Sequence, residues 1–312
     1  NNYPWSDKDI QHKILDAENK SRAPWGFGLK FSARDEWDLR LSAKGQVIKD
    51  SENLRQIFKS AYELQGIWHN ERSDMVFVKL PADVRERDGD EKPRPLNDVD
   101  INCITTWIIR KVGCEFSKDA VNDAVLRAAS DRPYDDLKDW LNTIAWDGTP
   151  RLDSWIVDYF GAEDNEYNRE VGKVWLKGAV ARVISPGVQF DYAIIFEGEQ
   201  GIGKTSALRI LAGDYHLETN LELDRKGEDE IARKLHSEQC WIVEMGELTA
   251  LRKSEVETLK SFLTKKSDSF RRPYAKNVTH RKRSFVFSGT TNDSTYLIDT
   301  SNRRYLPVRV EQ

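Results

Sequence analysis

Between residues 196 and 208 the chain reads FEGEQGIGKTSAL, an apolar strand pattern that passes through three glycines into a helix pattern. Gly198, Gly203, Lys204 and Thr205 satisfy G-x-x-x-x-G-K-[ST], with Gly201 inside the loop. Glycines let a backbone wrap oxygen atoms. The amides of Gln200, Gly201, Ile202 and Gly203, with the helix start at Lys204, Thr205 and Ser206, are therefore expected to face phosphate charge. In such a loop the Lys204 ammonium reaches the β and γ phosphates of a nucleoside triphosphate, and the Thr205 hydroxyl ligates magnesium. The motif by itself does not distinguish a kinase, a GTPase, a helicase or another ATPase.

Such a site needs acids and a γ-phosphate sensor. The run CWIVEMGEL delivers Glu244 at the end of an apolar strand pattern and Glu247 just past it. Glu244, with Thr205, is expected at the magnesium, and Glu247 is expected to polarise the attacking water; the two roles are exchangeable at this stage. Solvated glutamates or helix caps are the plain alternative. Asn292 follows the apolar run in FVFSGTTN, where an amide can orient the lytic water, unless it serves only as a turn former. Arg303 and Arg304 precede the last strand pattern in SNRRYLP and suit a cation donated to an adjacent subunit's nucleotide, or simple solvation.

A second chemistry sits between those strands. KKSDSFRRPYAKNVTHRKR holds eight Lys or Arg and one Asp from Lys265 to Arg283. PYAKN reads as a turn between two short strands, with Lys276 at the tip and Tyr274 offering a face for base stacking. Arg271, Arg272, Tyr274, Lys276, His280, Arg281, Lys282 and Arg283 are the candidate DNA contacts; arginines bound to acidic neighbours are the alternative.

Composition bounds the rest. The 312 residues carry 48 Lys plus Arg against 52 Asp plus Glu, a net charge of -4, which argues against a basic coat and permits a local basic site. Cys103, Cys114 and Cys240 lack CxxC spacing, so neither a zinc site nor a disulfide framework is expected, and the chain reads as reduced and cytoplasmic. No apolar run approaches the roughly 20 residues that span a bilayer, so no membrane partner is expected. The chain opens without Met, which reads as a processed, engineered or partial product.

Elements that would position these residues follow from periodicity. Leu54, Ile57, Phe58 and Ala61 share a helix face, and MVFVKL at Met75–Leu80 reads as a strand. RERDGDEKPRP marks a loop at Arg85–Pro95. Two helix stripes follow, Ile101, Ile104, Ile108 and Val112, then Val121, Ala124, Val125 and Ala128, with a break at Gly113 and an N-cap at Ser117. Together with the strand they allow a winged-helix-like unit. Val174–Ile184 supplies another helix. From Tyr192 onward strands are expected at 192–196, 240–243, 284–288 and 305–310, with helices at 204–211, 229–235 and 254–263, an α/β three-layer pattern. The expected domains are 1–97 without firm assignment, a helical accessory region at 98–185, and the α/β core with its basic hairpin at 186–312.

In order along the chain, WDGTPRLDSWIVDYFGAEDNEYNREVGKVWL, FEGEQGIGKTSALRILAGD, WIVEMGELTALRKSEVETLKSFLTKKSDSFRRPY, FSGTTND and SNRRYLPV resemble segments of the virulence-associated protein E family, replication ATPases of phages and genomic islands close to superfamily 3 helicases. The resemblance covers about residues 100–310. It implies an AAA+-like P-loop NTPase core that assembles as a ring, taken as a hexamer, hydrolyses ATP with Mg2+ at subunit boundaries and moves single-stranded DNA through its channel. By family pattern Lys204 and Thr205 belong to Walker A, Glu244 and Glu247 to Walker B, Asn292 to sensor 1, and Arg303 or Arg304 to the arginine finger. The basic hairpin becomes a pore loop with Lys276 as its contact. A primase or initiator module is an expected companion. The family's usual Asp-Asp or Asp-Glu ending is absent, since Met245 and Gly246 separate the two glutamates. A replicative helicase or translocase is the leading expectation; an ATPase switch that does not translocate, and a DNA-binding module with a degenerate ATP site, are the rivals.

Overall fold

The computed structural model describes residues 37–220, 227–246, 253–271, 277–292 and 303–311, with the backbone alone for 253–257. Two compact units emerge. One takes the described residues up to Ile67 together with Val78–Asp131; the other takes Trp68–Phe77 and the described residues from Arg132. In chain order the elements are α1 (Ser51–Ser60), β1 (Ile67–Asn70), β2 (Met75–Val78), α2 (Ala82–Arg85), β3 (Arg94–Pro95), α3 (Asp98–Val112), α4 (Lys118–Ser130), β4 (Pro133–Tyr134), α5 (Asp136–Thr143), α6 (Trp155–Phe160) and α7 (Glu166–Ile184). They continue with β5 (Ala193–Glu197), α8 (Lys204–Ala212), β6 (His216–Thr219), α9 (Gly227–Ser237), β7 (Ile242–Met245), α10 (Lys253–Leu263), β8 (Ser267–Arg271), β9 (Val278–Lys282), β10 (Val286–Thr291) and β11 (Tyr305–Arg309).

In the first unit α4 packs against both α1 and α3. The expected stripe of α3 is buried at Ile101, Ile104, Ile108 and Val112, with Trp107 beside it. The helix opens on a capping box between Asn97 and Asp100 and stops at Gly113 in the left-handed region (φ 68°). Ser117 caps α4 through the amide of Ala120. The charged run at 85–95 is more than a solvated loop. Arg85 and Arg94 both bind Asp90, and Arg94 forks onto Asp100 at 2.7 Å to each oxygen. The strand expected at Met75–Leu80 is β2, which falls with the second unit up to Phe77.

The second unit is a three-layer α/β body. Its sheet is wholly parallel, in the order β11-β5-β10-β7-β6. Alternation on buried strands sends Ile194, Phe196, Ile242, Val286 and Val308 into a cluster with α6, α7 and α8. The alternate residues Ala193, Ile195, Val243, Phe287 and Tyr305 meet Leu235 of α9 and Leu259, Phe262 and Leu263 of α10. Two indoles lock α7 onto its layer: Trp175 donates to the carbonyl of Phe287, and Trp241 donates to that of Ala179 in α7, both at 2.9 Å. Leu137, Trp155, Trp175 and Val183, from the region 98–185 expected as accessory, share the cluster of Ile194 and Phe196 with the sheet strands.

Among the described residues no helix is long and apolar enough to cross a membrane. Cys114 and Cys240 are buried and Cys103 half-buried, all as free thiols, and burial pushes the Cys240 thiol up to about 12.

Candidate nucleotide site and basic hairpin

The glycine loop joins the end of β5 to the start of α8, at the carboxyl edge of the parallel sheet, where open α/β sheets take ligands. Gly201 and Gly203 hold φ of 88° and 90°, a conformation that side chains resist. Gly198 answers a different need. A Cβ there would lie 2.4 Å from the carbonyl oxygen of Val310, so only glycine lets the loop run against the end of the last strand. That strand end is itself tied down, Val310 donating to the carbonyl of Glu197 at 2.8 Å and Glu311 to that of Gly161 at 3.3 Å. Ile202 packs into the core, while Gln200 and Ser206 are exposed. The first turn of α8 carries no acidic side chain and its N-cap makes no side-chain hydrogen bond, leaving the positive helix end available to an anion.

Lys204 is only 8% exposed. Its ammonium donates to the carbonyls of Gly198 (2.6 Å) and Glu199 (2.7 Å) and approaches Oδ1 of Asn292 at 3.3 Å. Burial lowers its pKa, and the charge of Glu244 opposes that shift only in part. Asn292 itself is exposed and follows directly on β10.

Glu244 is fully buried within β7 rather than at its end. Thr205 Oγ1 donates to Oε1 at 2.6 Å, Thr290 Oγ1 to the same oxygen at 2.8 Å, and His216 Nε2 lies 2.8 Å from Oε2. Burial pushes the carboxyl up, yet hydrogen bonds from His216, Thr205 and Thr290 outweigh it, and the pKa falls below its ordinary value. A buried anion beside the Thr205 hydroxyl suits magnesium, which takes one or two protein oxygens and fills its shell with phosphate and water. Among the described residues no group of three or more His, Cys, Asp or Glu forms a cage of its own. The residues present thus fit a nucleotide-borne magnesium.

Glu247, Arg272, Tyr274 and Lys276 lie outside the described residues. Arg303 is exposed and Arg304 half-buried, just before β11, where the carbonyl of Arg304 accepts from Ala193 at the start of β5. They stand at the amino edge of the sheet, separated from the glycine loop by the length of β5, about 13 Å at ~3.3 Å per residue.

The expected hairpin exists as antiparallel β8 and β9. Alternation places Arg271, His280 and Lys282 on its exposed face, with His280 Nδ1 2.8 Å from Ser269 Oγ. Two expected DNA contacts are corrected. Arg283 is fully buried: Nε and Nη2 donate to Asp268 at 2.8 and 2.6 Å, and Nη1 to the carbonyl of Phe262 at 2.5 Å. Arg281 points to the inner side, ion-paired with Asp74 at 3.5 Å and bonded to the carbonyl of Glu71. A sequence of basic residues cannot tell the inward from the outward half of a strand until the register is known.

Reasoning from sequence missed His216 and Thr290. The strand β6 that carries His216 was not expected, because HLET has one strongly apolar residue; an edge strand asks for little more. Thr290 was in view in FVFSGTTN, two residues before Asn292, and strand alternation from Ser288, the partner of Glu244, would have put it on the same face.

Residues 141–312, more than half of the chain, match the family description of the virulence-associated protein E-like domain. The chain belongs to that family. No curated protein matches this family member. Among solved structures, apo forms of the NrS-1 C-terminal region align over 84–85% of this chain at 14% identity, with TM-scores of 0.47 to 0.49. The chain spans 62% of the length of those structures.

Proposed function

We propose that this virulence-associated protein E-like chain is the ATPase motor of a phage or genomic-island replication protein, hydrolysing ATP between protomers of a ring to move single-stranded DNA. The observation that carries the reading is a pair of contacts at the carboxyl edge of one sheet, Lys204 with Asn292 at 3.3 Å and the adjoining Thr205 with Glu244 at 2.6 Å. A P-loop NTPase core accounts for all four.

In this reading Lys204 exchanges the loop carbonyls for phosphate oxygens, since a largely buried ammonium held by carbonyl dipoles gains charge-assisted bonds on meeting a triphosphate. Thr205 keeps its proton on Glu244 and turns its lone pairs outward, so the two would hold magnesium. The bound ion supplies Lewis-acid charge at the phosphates. Glu244, already receiving three donors and held below its ordinary pKa, is poorly suited to take a proton from water. That favours Glu247 for the water-polarising role. Asn292 would orient the water or sense the γ phosphate.

Arg303 and Arg304 stand a strand's length from their own loop, which favours service to a neighbour's nucleotide. Arg271 and Lys282 would track DNA phosphates with little base preference.

Lys204→Ala should lower ATP turnover at least about 100-fold while leaving single-strand binding in place. Unimpaired hydrolysis in that variant overturns the site. Displacement of a strand from a forked duplex separates a motor from a switch; DNA-stimulated turnover without displacement reduces the proposal to the switch.

A further inference from the structure

We infer that His216 is a positioning residue for the magnesium-side carboxylate, a role resting on the ATPase reading above. Three observations lead there. The His216 ring is 4% exposed and the Glu244 side chain fully buried, with Nε2 and Oε2 2.8 Å apart. The other carboxylate oxygen is taken by two hydroxyls, Thr205 and Thr290. And His216 sits on an edge strand whose register pairs it with Ile242, so it reaches along the same face to Glu244 two residues further on.

A carboxylate held through one oxygen still swings about its last bond. Hydroxyl donors on Oε1 leave that freedom, because each follows the oxygen by rotating its own C–O bond. A ring nitrogen has no such rotation; its N–H direction is set once the ring is packed. An ionised carboxylate only accepts, so the contact specifies Nε2 as the protonated nitrogen. The imidazole thereby pins the plane of Glu244, and through Oε1 the direction of the Thr205 hydroxyl that would meet the ion. The arrangement is that of an outer-shell partner orienting a metal's ligand. His216 touches neither ATP nor the ion in this assignment.

The test uses the full chain, purified without metal, with a fluorescent ATP analogue titrated in EDTA and then at increasing Mg2+. Three variants are compared: His216→Ala, His216→Phe, which keeps a ring without a donor, and His216→Gln, which restores an N–H. Expected are unchanged analogue affinity in EDTA for all three, and a rise of about tenfold in the Mg2+ needed for half-maximal tightening in the Ala and Phe variants. Their kcat should fall with KM for ATP little changed, and the Gln variant, which restores the N–H on a side chain freer to rotate, should recover part of the loss. Phe and Gln keep the question open to refutation if the Ala variant does not fold. Wild-type Mg2+ dependence in the Phe variant, or equal loss in Phe and Gln, overturns the assignment. If the wild type responds to Lys204→Ala as proposed while the His216 variants match wild type, only this inference falls; a wild type without magnesium-dependent nucleotide binding removes both.

Discussion

Glu244 and Asp268 are two versions of one device. Each is an acid with under 5% exposure, and each faces an imidazole nitrogen, His216 at 2.8 Å and His236 at 3.0 Å. Their remaining partners differ. Asp268 is closed by the fork of Arg283, whose guanidinium lies 4.2 Å from the ring of Phe262. Glu244 meets two hydroxyls. A guanidinium cancels a carboxylate's charge permanently; hydroxyls stabilise the anion and leave its charge for a cation that arrives later. The countercharge, not the histidine, separates the acid that fastens the base of the hairpin to α9 from the acid proposed above to meet magnesium.

The largest effect should fall on the fastened acid. Asp268→Ala strands Arg283 and His236 in the interior, and urea unfolding should show a loss of about 3–5 kcal/mol. Glu244→Gln should cut ATP turnover about 100-fold in steady-state assays while shifting the urea midpoint far less than Asp268→Ala does. Comparable destabilisation from the two would break the distinction. Acid sharpens it next. The Asp268 pKa is depressed to about 2 from an ordinary 3.8, because bonds from His236 and Arg283 overcome the upward push of burial. A folded-state value below the unfolded one contributes stability in full above about pH 4, lost as pH falls toward 2. Unfolding midpoints measured from pH 5 to 2.5 should therefore drop more steeply in the wild type than in Asp268→Asn. The smallest effect belongs to the outer face of the hairpin: Arg271→Ala or Lys282→Ala should each lower the slope of log affinity for single-stranded DNA against log salt by roughly 0.7. An unchanged slope in both would remove that face from the DNA path.

Much of this was legible in advance. The glycine loop, the strand carrying Glu244, the strand ending at Asn292 and the hairpin announce themselves through local pattern: a motif between two elements, apolar runs, and a basic segment around a turn. What stayed hidden depends on pairing between distant segments. The burial of Arg283 follows from an acid fifteen residues away across a hairpin, and the partnership of His216 with Glu244 from the juxtaposition of β6 and β7. Glu163–Ile184 shows a subtler limit. The helix α7 begins at Glu166, capped by Asn165, eight residues before its apolar stretch, because an N-cap and one turn of polar residues cost little when later turns are buried.

The last strand carries a mechanical consequence. Five residues long, β11 has Arg303 and Arg304 at its entrance and, one residue past its exit, the Val310 carbonyl pressed against Gly198. Hydrogen-bonded backbone along its length is stiff. The strand thus joins the two arginines to the wall of Gly198 by a single extended run of backbone with no loop between.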